Sequence, residues 1–201
     1  MQWYIYKEHE FLKSMIIGIT GYIGAGKTTA ANFCRELGYS IIDCDSIGHE
    51  ILEKDNEVQH KLIAKYGNKI IGRDLKINRE ILAEIIFNNQ ENIDELNKII
   101  HPKLKAIVYE LLDKAVQENK KVIVEAAILK ELELDTKVNK IIIIKSELGI
   151  IYERLKKRYS QKQVVNIMNK QILPKKYDYL IINNESIDEL KRRVFEIVKR
   201  L

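Results

Sequence analysis

Short apolar runs alternate along the chain with longer stretches in which apolar residues recur every three or four positions. The short runs are rich in Ile and Val, which is typical of strands covered on both faces of a parallel sheet. The longer stretches have the spacing of amphipathic helices. The alternation therefore predicts one α/β domain over residues 15–201, with a parallel five-stranded sheet and helices on both faces. The predicted strands are Ile16–Thr20, Ser40–Ile42, Val122–Glu125, Lys140–Ile144 and Tyr179–Ile182.

The connection between the second and third predicted strands is unusually long and has helical periodicity throughout. A crossover of this length predicts a helical insert beside the sheet, which we place at residues 48–119. Its predicted helices are Ile47–Lys54, Val58–Tyr66, Arg79–Phe87, Ile93–Ile99 and Pro102–Glu118.

A polar and basic helical stretch, residues 152–171, follows the fourth predicted strand. It has two interpretations, an ordinary surface helix or a short lid that closes basic side chains over a transferring phosphoryl group. We favour the lid. The last segment, Ile187–Leu201, is predicted to be a closing amphipathic helix.

Composition narrows the class of protein. The chain has 201 residues, of which 46% are hydrophobic and 31% charged, and no apolar run approaches the roughly 20 residues of a membrane span. Residues 1–14 lack the apolar centre of a secretory signal and are interpreted as an extension. The two cysteines form neither a metal cluster nor a disulfide framework, so we expect free thiols and a cytoplasmic location.

The net charge of +5 could indicate a nucleic-acid partner, but acidic residues are interspersed almost everywhere. No basic stripe with interleaved aromatic residues is present, so we expect neither a nucleic-acid nor a membrane partner. The sequence indicates no oligomeric state.

The most informative motif is the octet Gly21-Tyr22-Ile23-Gly24-Ala25-Gly26-Lys27-Thr28, between the first strand and a predicted helix over Thr28–Leu37. A strand, a glycine-rich loop and a helix N-terminus form a phosphate-binding loop, in which backbone N–H groups face one centre. We expect Lys27 to reach the β- and γ-phosphates of a nucleoside triphosphate and Thr28 to ligate Mg²⁺. The expected nucleotide-binding residues here are Gly21, Ile23, Gly24, Ala25, Gly26, Lys27, Thr28 and Thr29.

Two carboxylates follow the second strand, Asp43 and Asp45. The carboxyl ends of parallel strands face the ligand, so both side chains are expected near the γ-phosphate. One can accept the proton of an attacking hydroxyl while the other contacts substrate or holds Mg²⁺ through water. We predict Asp45 as the base. The alternative is that one of the two caps a helix that begins near Ser46.

Asp45 also begins an Asp-x-x-Gly pattern of the kind found in GTP-dependent switches. It follows the phosphate loop too closely to leave room for a first switch segment. The chain also contains no Asn-Lys-x-Asp guanine-recognition motif. A GTP switch is therefore not favoured.

These motifs together resemble the dephospho-coenzyme A kinase family, from about Met15 to the C-terminus. The resemblance implies a P-loop NTPase-type kinase that uses ATP and Mg²⁺ to phosphorylate the ribose 3′-hydroxyl of dephospho-CoA. The segments that carry it are Gly18–Thr29, Leu37–Asp45, Asn78-Arg79, Phe87-Asn88, His101-Pro102, Gln171 and Tyr177–Asn184.

The resemblance also implies roles for single residues. Asp45 is the expected base, and Arg158 is expected to approach the γ-phosphoryl group when the lid closes, with Arg154 as the second candidate. The alternative for either arginine is a surface ion pair with Glu153 or a neighbouring acid. The expected substrate-binding residues are Asp43, Arg79, His101 and Arg154, and Asn184 is expected on the adenine side of ATP.

His101 has an alternative of its own, which is to cap or pack at a helix start before Pro102. The chain also departs from the family where Glu125-Ala126-Ala127 lacks the usual proline, which leaves that turn less rigidly set. Two other functions stay open on the residues alone. One is a different P-loop kinase of small molecules or nucleotides, and the other is a non-catalytic nucleotide-binding regulator.

Overall fold

The computed structural model of the protein describes residues 14–72, 76–87 and 90–201. Residues 1–13 of the expected extension lie outside the described residues, as does Asn88 of the Phe87-Asn88 segment. Across the described part of the chain, strands and helices follow the predicted α/β order.

Parallel strands form one five-stranded sheet, which confirms the predicted fold class. The strands are β1 (Met15–Gly21), β2 (Ser40–Asp43), β3 (Lys121–Glu125), β4 (Lys140–Lys145) and β5 (Tyr179–Ile182). Each observed end lies within one residue of its predicted position. In the sheet order β2-β3-β1-β4-β5, β1 is central. The loop that follows β1 therefore lies in the middle of the sheet's carboxyl edge, where ligands of open α/β sheets bind.

Helices cover both faces of this sheet. They are α1 (Lys27–Arg35), α2 (Cys44–Lys54), α3 (Asn56–Tyr66), α4 (Arg79–Phe87), α5 (Gln90–Gln117), α6 (Leu148–Leu155), α7 (Gln161–Lys170) and α8 (Ile187–Val198). None of the helices in the described part of the chain is both long and apolar enough to span a bilayer.

Two hydrophobic cores form because successive strand residues point to opposite faces of the sheet. Ile16 belongs to the core shared with Leu104 and Val108 of α5, whereas its neighbour Ile17 belongs to the core with Ala31 of α1 and Val194 of α8. The first core holds the helices of the predicted insert, and the second holds the helix that follows the phosphate loop.

The predicted helices Ile93–Ile99 and Pro102–Glu118 are one continuous helix, so the predicted break at Pro102 is wrong. A proline inside a helix removes one hydrogen-bond donor and usually ends or bends the helix. Here Pro102 is exposed, while Ile100 and Leu104 on either side of it are buried in the core. Tertiary packing of the flanking residues therefore overrides the local preference of proline.

Residues 152–171, the predicted lid, begin inside α6 and contain all of α7. The helix α7 starts with a capping box, in which Ser160 accepts from the Gln163 backbone N–H and the Gln163 side chain accepts from that of Ser160. This cap separates α7 from α6 and makes the lid segment two helices joined by a turn.

Candidate active site

The phosphate loop leaves β1 and enters α1 with two glycines in the left-handed region. Gly24 has φ +69° and Gly26 has φ +102°, which a residue with a side chain adopts only with strain. A Cβ atom on Gly26 would lie 2.4 Å from Nδ2 of Asn183, and one on Gly24 would lie 2.9 Å from Leu155. Both glycines are therefore required by conformation and by the close approach of their neighbours.

Neighbouring side chains hold the loop from outside through its backbone. The Asn183 amide donates to the Ala25 carbonyl at 2.8 Å, and the Arg154 guanidinium donates to the Gly24 carbonyl at 3.1 Å. On the opposite side, the Ile23 N–H donates to Oε1 of Gln171 at 2.9 Å. These bonds fix the loop conformation before any ligand binds, which lowers the entropy lost on binding.

A cavity of about 370 Å³, here called the phosphate-loop cavity, lies beside this loop. Five of the expected nucleotide-binding residues line it, whereas Gly21, Ile23 and Ala25 are not in its lining. Ala25 is buried, and its carbonyl serves to hold the loop. The lining residues are Gly24, Gly26, Lys27, Thr28, Thr29, Arg154, Asn183, Glu185, Ile187 and Leu190.

Lys27 is buried at the start of α1, and its ammonium group donates to the Tyr22 carbonyl at 3.2 Å. Burial lowers the pKa of the Lys27 ammonium group, while the carboxylates of Asp45 and Glu125 act in the opposite direction. Lys27 therefore carries its charge in a poorly solvated position near two acids, where charge–charge interactions are stronger than in water.

Thr28 and Glu125 meet at the carboxyl ends of the central strands. The Thr28 hydroxyl donates to Oε1 of Glu125 at 2.9 Å, and the Glu125 side chain is buried. Burial raises the pKa of Glu125, and the negative charges of Asp43 and Asp45 raise it further. Three acids therefore lie close enough to influence one another, and a cation bound among them would relieve their repulsion.

Asp43 and Asp45 have different environments, contrary to the prediction that both lie at a strand end. The strand ends at Asp43, whose carboxylate caps α2 by accepting from the Ser46 N–H at 3.0 Å and the Ser46 hydroxyl at 2.7 Å. Asp45 lies in the first turn of α2, because this cap starts the helix at Cys44 rather than at Ile47. The capping alternative is thus correct for Asp43 and leaves the exposed Asp45 carboxylate available.

Asp45 lines a second cavity of about 240 Å³, here called the central cavity. The charge of Asp45 also raises the pKa of Lys27, so Asp45 lies close enough to the phosphate loop to act on it electrostatically. The central cavity is lined by Cys44, Asp45, Gly48, His49, Leu52, Asn97, Ile100, His101, Leu104 and Ile128.

Two further cavities adjoin the central cavity. The Arg79 cavity, of about 670 Å³, shares His49 and Leu52 with it, and the amide cavity, of about 350 Å³, shares Asn97, His101 and Ile128. Asp45 therefore stands where a branched ligand could extend in two directions.

The expected substrate-binding residues Arg79 and His101 both reach these cavities. Arg79 lines the Arg79 cavity and forms an ion pair with Glu53 at 3.5 Å, with both side chains largely exposed. His101 lines the central and amide cavities, and burial lowers the pKa of its imidazole. His101 lies well inside α5, so the alternative that it caps a helix start is wrong.

The two lid arginines lie in different places. Arg154 lines none of the central, Arg79 and amide cavities: its guanidinium contacts the phosphate loop and also donates to Ser146 Oγ and the Asn183 carbonyl, each at 3.1 Å. The reason is that α6 starts just after β4, the sheet neighbour of β1.

Arg158 is exposed in the turn after α6, and its guanidinium has no partner among the described residues. The alternative pair with Glu153 is formed instead by Lys156.

Replacing Arg154 with alanine is expected to raise the KM for ATP about tenfold, the size of one lost charge-assisted hydrogen bond. The KM for the phosphoryl acceptor should change much less, because Arg154 contacts the loop and lines its cavity. Steady-state kinetics with each substrate varied in turn checks this. Arg200→Ala, an exposed control, should leave both constants unchanged, and a rise confined to the acceptor KM would contradict the placement.

At the end of β5, the structure brings Asn183 rather than Asn184 to the phosphate-loop cavity. The Asn184 side chain instead pairs with Glu147, accepting from its N–H at 2.9 Å and donating to its carboxylate at 2.7 Å. Alternation could have identified Asn183, because it lies two residues after the buried Ile181 and so points to the same side.

The turn after β3 forms without the proline that is usual in the resembling family. Leu129, Leu132 and Leu134 are fully buried there, and the Ala126 N–H donates to the Ile19 carbonyl at 3.1 Å. Apolar burial and this bond to the central strand hold the turn, which places Ile128 in the wall of the central cavity.

Comparison with known proteins gives consistent matches over nearly the whole chain. A model of the dephospho-CoA kinase family matches residues 15–189. The dephospho-CoA kinase of Dehalococcoides mccartyi is 36% identical over 191 residues, which cover 92% of this chain and 96% of the relative. That of Fusobacterium nucleatum is 34% identical, covering 90% and 95%. The solved dephospho-CoA kinase of Campylobacter jejuni is 28% identical, with a TM-score of 0.64, covering 94% and 97%.

Proposed function

The chain belongs to the dephospho-CoA kinase family, and on that premise we propose that it phosphorylates the ribose 3′-hydroxyl of dephospho-CoA, the last step of CoA biosynthesis. ATP lies in the phosphate-loop cavity, and the hydroxyl enters from the central cavity. The observation that carries this arrangement is the position of Asp45, which lines the central cavity and acts electrostatically on Lys27 of the phosphate loop.

Asp45 is the general base in this proposal. Its carboxylate accepts the proton of the 3′-hydroxyl as the ribose oxygen forms a bond to the γ-phosphorus. The bond from that phosphorus to the β–γ bridging oxygen breaks, and ADP leaves with the electron pair. A base in the first turn of α2 is held by the helix, and the Asp43 cap fixes where that helix begins.

Lys27 stabilises the charge that shifts toward the bridging and terminal oxygens during transfer. Its burial makes the interaction stronger than it would be in water, and its bond to the Tyr22 carbonyl positions the ammonium in advance. Arg158, exposed and unengaged in the described part of the chain, supplies a second cation when the lid segment closes.

Thr28 and Glu125 fit a Mg²⁺ ion that arrives with ATP. Mg²⁺ prefers oxygen ligands and is usually held by one or two carboxylates together with substrate phosphates. The Thr28 hydroxyl and the buried Glu125 carboxylate supply such oxygens next to the loop. An ion bound there would neutralise charge on the phosphate oxygens.

Residues 48–119 form the acceptor-binding insert in this proposal, with Asp43, Arg79 and His101 at its border with the active site. Arg79 can exchange its exposed partner Glu53 for a substrate phosphate at little cost, since exposed ion pairs contribute little. The cytoplasmic location belongs to the same proposal, because Cys34 and Cys44 are free thiols.

The test is ADP release by the purified chain with ATP and a panel of acceptors. We expect stimulation by dephospho-CoA alone, and no stimulation by gluconate, shikimate or nucleoside monophosphates. The rate without acceptor measures hydrolysis by water and serves as the baseline. Equal or greater stimulation by another acceptor would contradict the proposal.

A further inference from the structure

The acceptor-side cavities differ in the polar groups they offer. The amide cavity lies between α5 and α7 and has apolar walls that include Ile93, Ile128 and Ile167. Its polar lining is dominated by uncharged side chains: Asn97, His101, Tyr159, Gln163, Asn166 and Gln171.

The side chains of Asn97 and Asn166 and the imidazole of His101 have no hydrogen-bond partner among the residues that the structure describes. Asn97 and His101 lie one helical turn apart on the same face of α5, and Asn166 lies on α7 at the other wall. Unpaired donors and acceptors on two walls of an apolar cavity are suited to a neutral, flat ligand with a polar edge.

The Arg79 cavity has a different chemistry. Its lining contains Arg79, Glu80 and His49 but no side-chain amide, and its volume is nearly twice that of the amide cavity. Arginine matches a phosphate group geometrically, so this cavity suits the diphosphate and the long arm of the acceptor better.

The charged groups of the amide cavity also favour a neutral ligand over a diphosphate. They are Glu131 and Lys170, and burial raises the pKa of the Glu131 carboxyl. The lining of the amide cavity contains no arginine that could form two parallel hydrogen bonds to a phosphate, as Arg79 could, and its apolar walls suit a neutral heterocycle. Burial also favours the uncharged form of the His101 imidazole.

From these observations we infer that the amide cavity binds the adenine base of the acceptor and that Asn97 and Asn166 select it. The inference rests on the proposed function, which places the acceptor ribose at Asp45. From that ribose, the base extends past His101 into the amide cavity, and the diphosphate extends past His49 into the Arg79 cavity. A side-chain amide can donate to adenine N7 while accepting from its 6-amino group, a pairing that discriminates adenine from other bases.

This placement also predicts that the lid segment, residues 152–171, contacts the acceptor directly. Asn166, Gln163 and Lys170 are on α7, while Asn97 and His101 are on the insert, so a base held between them joins the two. Gln171, at the end of α7, is bonded to Ile23 of the phosphate loop. Base recognition is therefore connected to the loop that holds ATP.

The experiment compares dephospho-CoA with its hypoxanthine counterpart, in which the 6-amino group is replaced by a carbonyl oxygen. For the unaltered chain, kcat/KM should be higher with adenine by about 5- to 150-fold. Asn97→Ala should reduce this preference at least several-fold, because only the adenine substrate loses its amide partner. Asn166→Ala should reduce it in the same direction, and since Asn166 is exposed its removal does not endanger the fold.

Asn169→Ala is the matched control, since Asn169 lies on α7 but outside the cavity lining, and it should leave the preference unchanged. Equal losses with both substrates in folded Asn97→Ala and Asn166→Ala proteins would overturn the inference while leaving the proposed function intact. No transfer to dephospho-CoA by the unaltered chain would remove the proposed function and the inference together.

Discussion

Asp45→Asn should lower kcat by roughly 10²–10⁴, the usual contribution of a positioned general base. Asparagine keeps the size of the side chain in the first turn of α2 but cannot accept the proton of the ribose hydroxyl. The Asp43 cap is untouched, so the helix and the ATP site should persist. Turnover at saturating ATP and dephospho-CoA gives kcat, and titration with ATP shows whether nucleotide binding is retained.

Asp113→Asn is the control for this change, because Asp113 is exposed on α5 and does not line any of the four cavities. It should have unaltered kinetics. Near-normal turnover by a folded Asp45→Asn protein would remove Asp45 from the role of base.

Lys27→Ala should lower kcat by about 10²–10³, the range seen when one group that stabilises transition-state charge is removed. The effect should fall mainly on kcat, because charge on the phosphate oxygens shifts during transfer. Lys27→Met keeps most of the buried stem without the ammonium, and it should lose a similar factor. Steady-state kinetics with varied ATP separates kcat from KM.

A rise in the KM for ATP with kcat intact would make Lys27 a group that only binds nucleotide. Lys114→Met on the exposed surface of α5 is the control, and it should leave both constants unchanged. A loss with Lys27→Ala but not with Lys27→Met would point to lost packing rather than lost charge.

The sheet could be predicted from the sequence because its strands carry dense Ile and Val runs, and β5 was predicted to the residue. The phosphate loop could also be predicted, because the structure requires glycine at specific positions of the loop. Gly24 and Gly26 have positive φ, and neighbouring atoms lie too close to admit a side chain. Only glycine meets both conditions, so the spacing of the glycines in the sequence indicates the loop.

Features that depend on tertiary packing were predicted less well. The predicted break at Pro102 gave way to burial of Ile100 and Leu104, which no local preference of proline reveals. The predicted start of α2, at Ile47, is too late, because the Asp43 cap starts the helix at Cys44 and places Asp45 in its first turn. Asp45 nevertheless lines the central cavity, and its charge acts on Lys27 of the phosphate loop.

Two site assignments depended on which way a side chain points. Asn183 rather than Asn184 lines the phosphate-loop cavity, and strand alternation would have indicated this. Arg154 contacts the phosphate loop and lines none of the central, Arg79 and amide cavities, and the sheet order, with β4 beside β1, explains this position. No pattern in the sequence indicates Asn97 and Asn166, because amides on helices carry no chemical signature until a cavity brings them together.

The position of the new phosphate in the product tests the central claim most directly. With ATP and dephospho-CoA, correlated ³¹P and ¹H NMR spectra should show a phosphate coupled to the ribose 3′ proton, formed together with one equivalent of ADP. That result is expected if Asp45 presents the 3′-hydroxyl to a γ-phosphate held beside Lys27. A phosphate on another oxygen, or inorganic phosphate as the only phosphoryl product, would contradict the account.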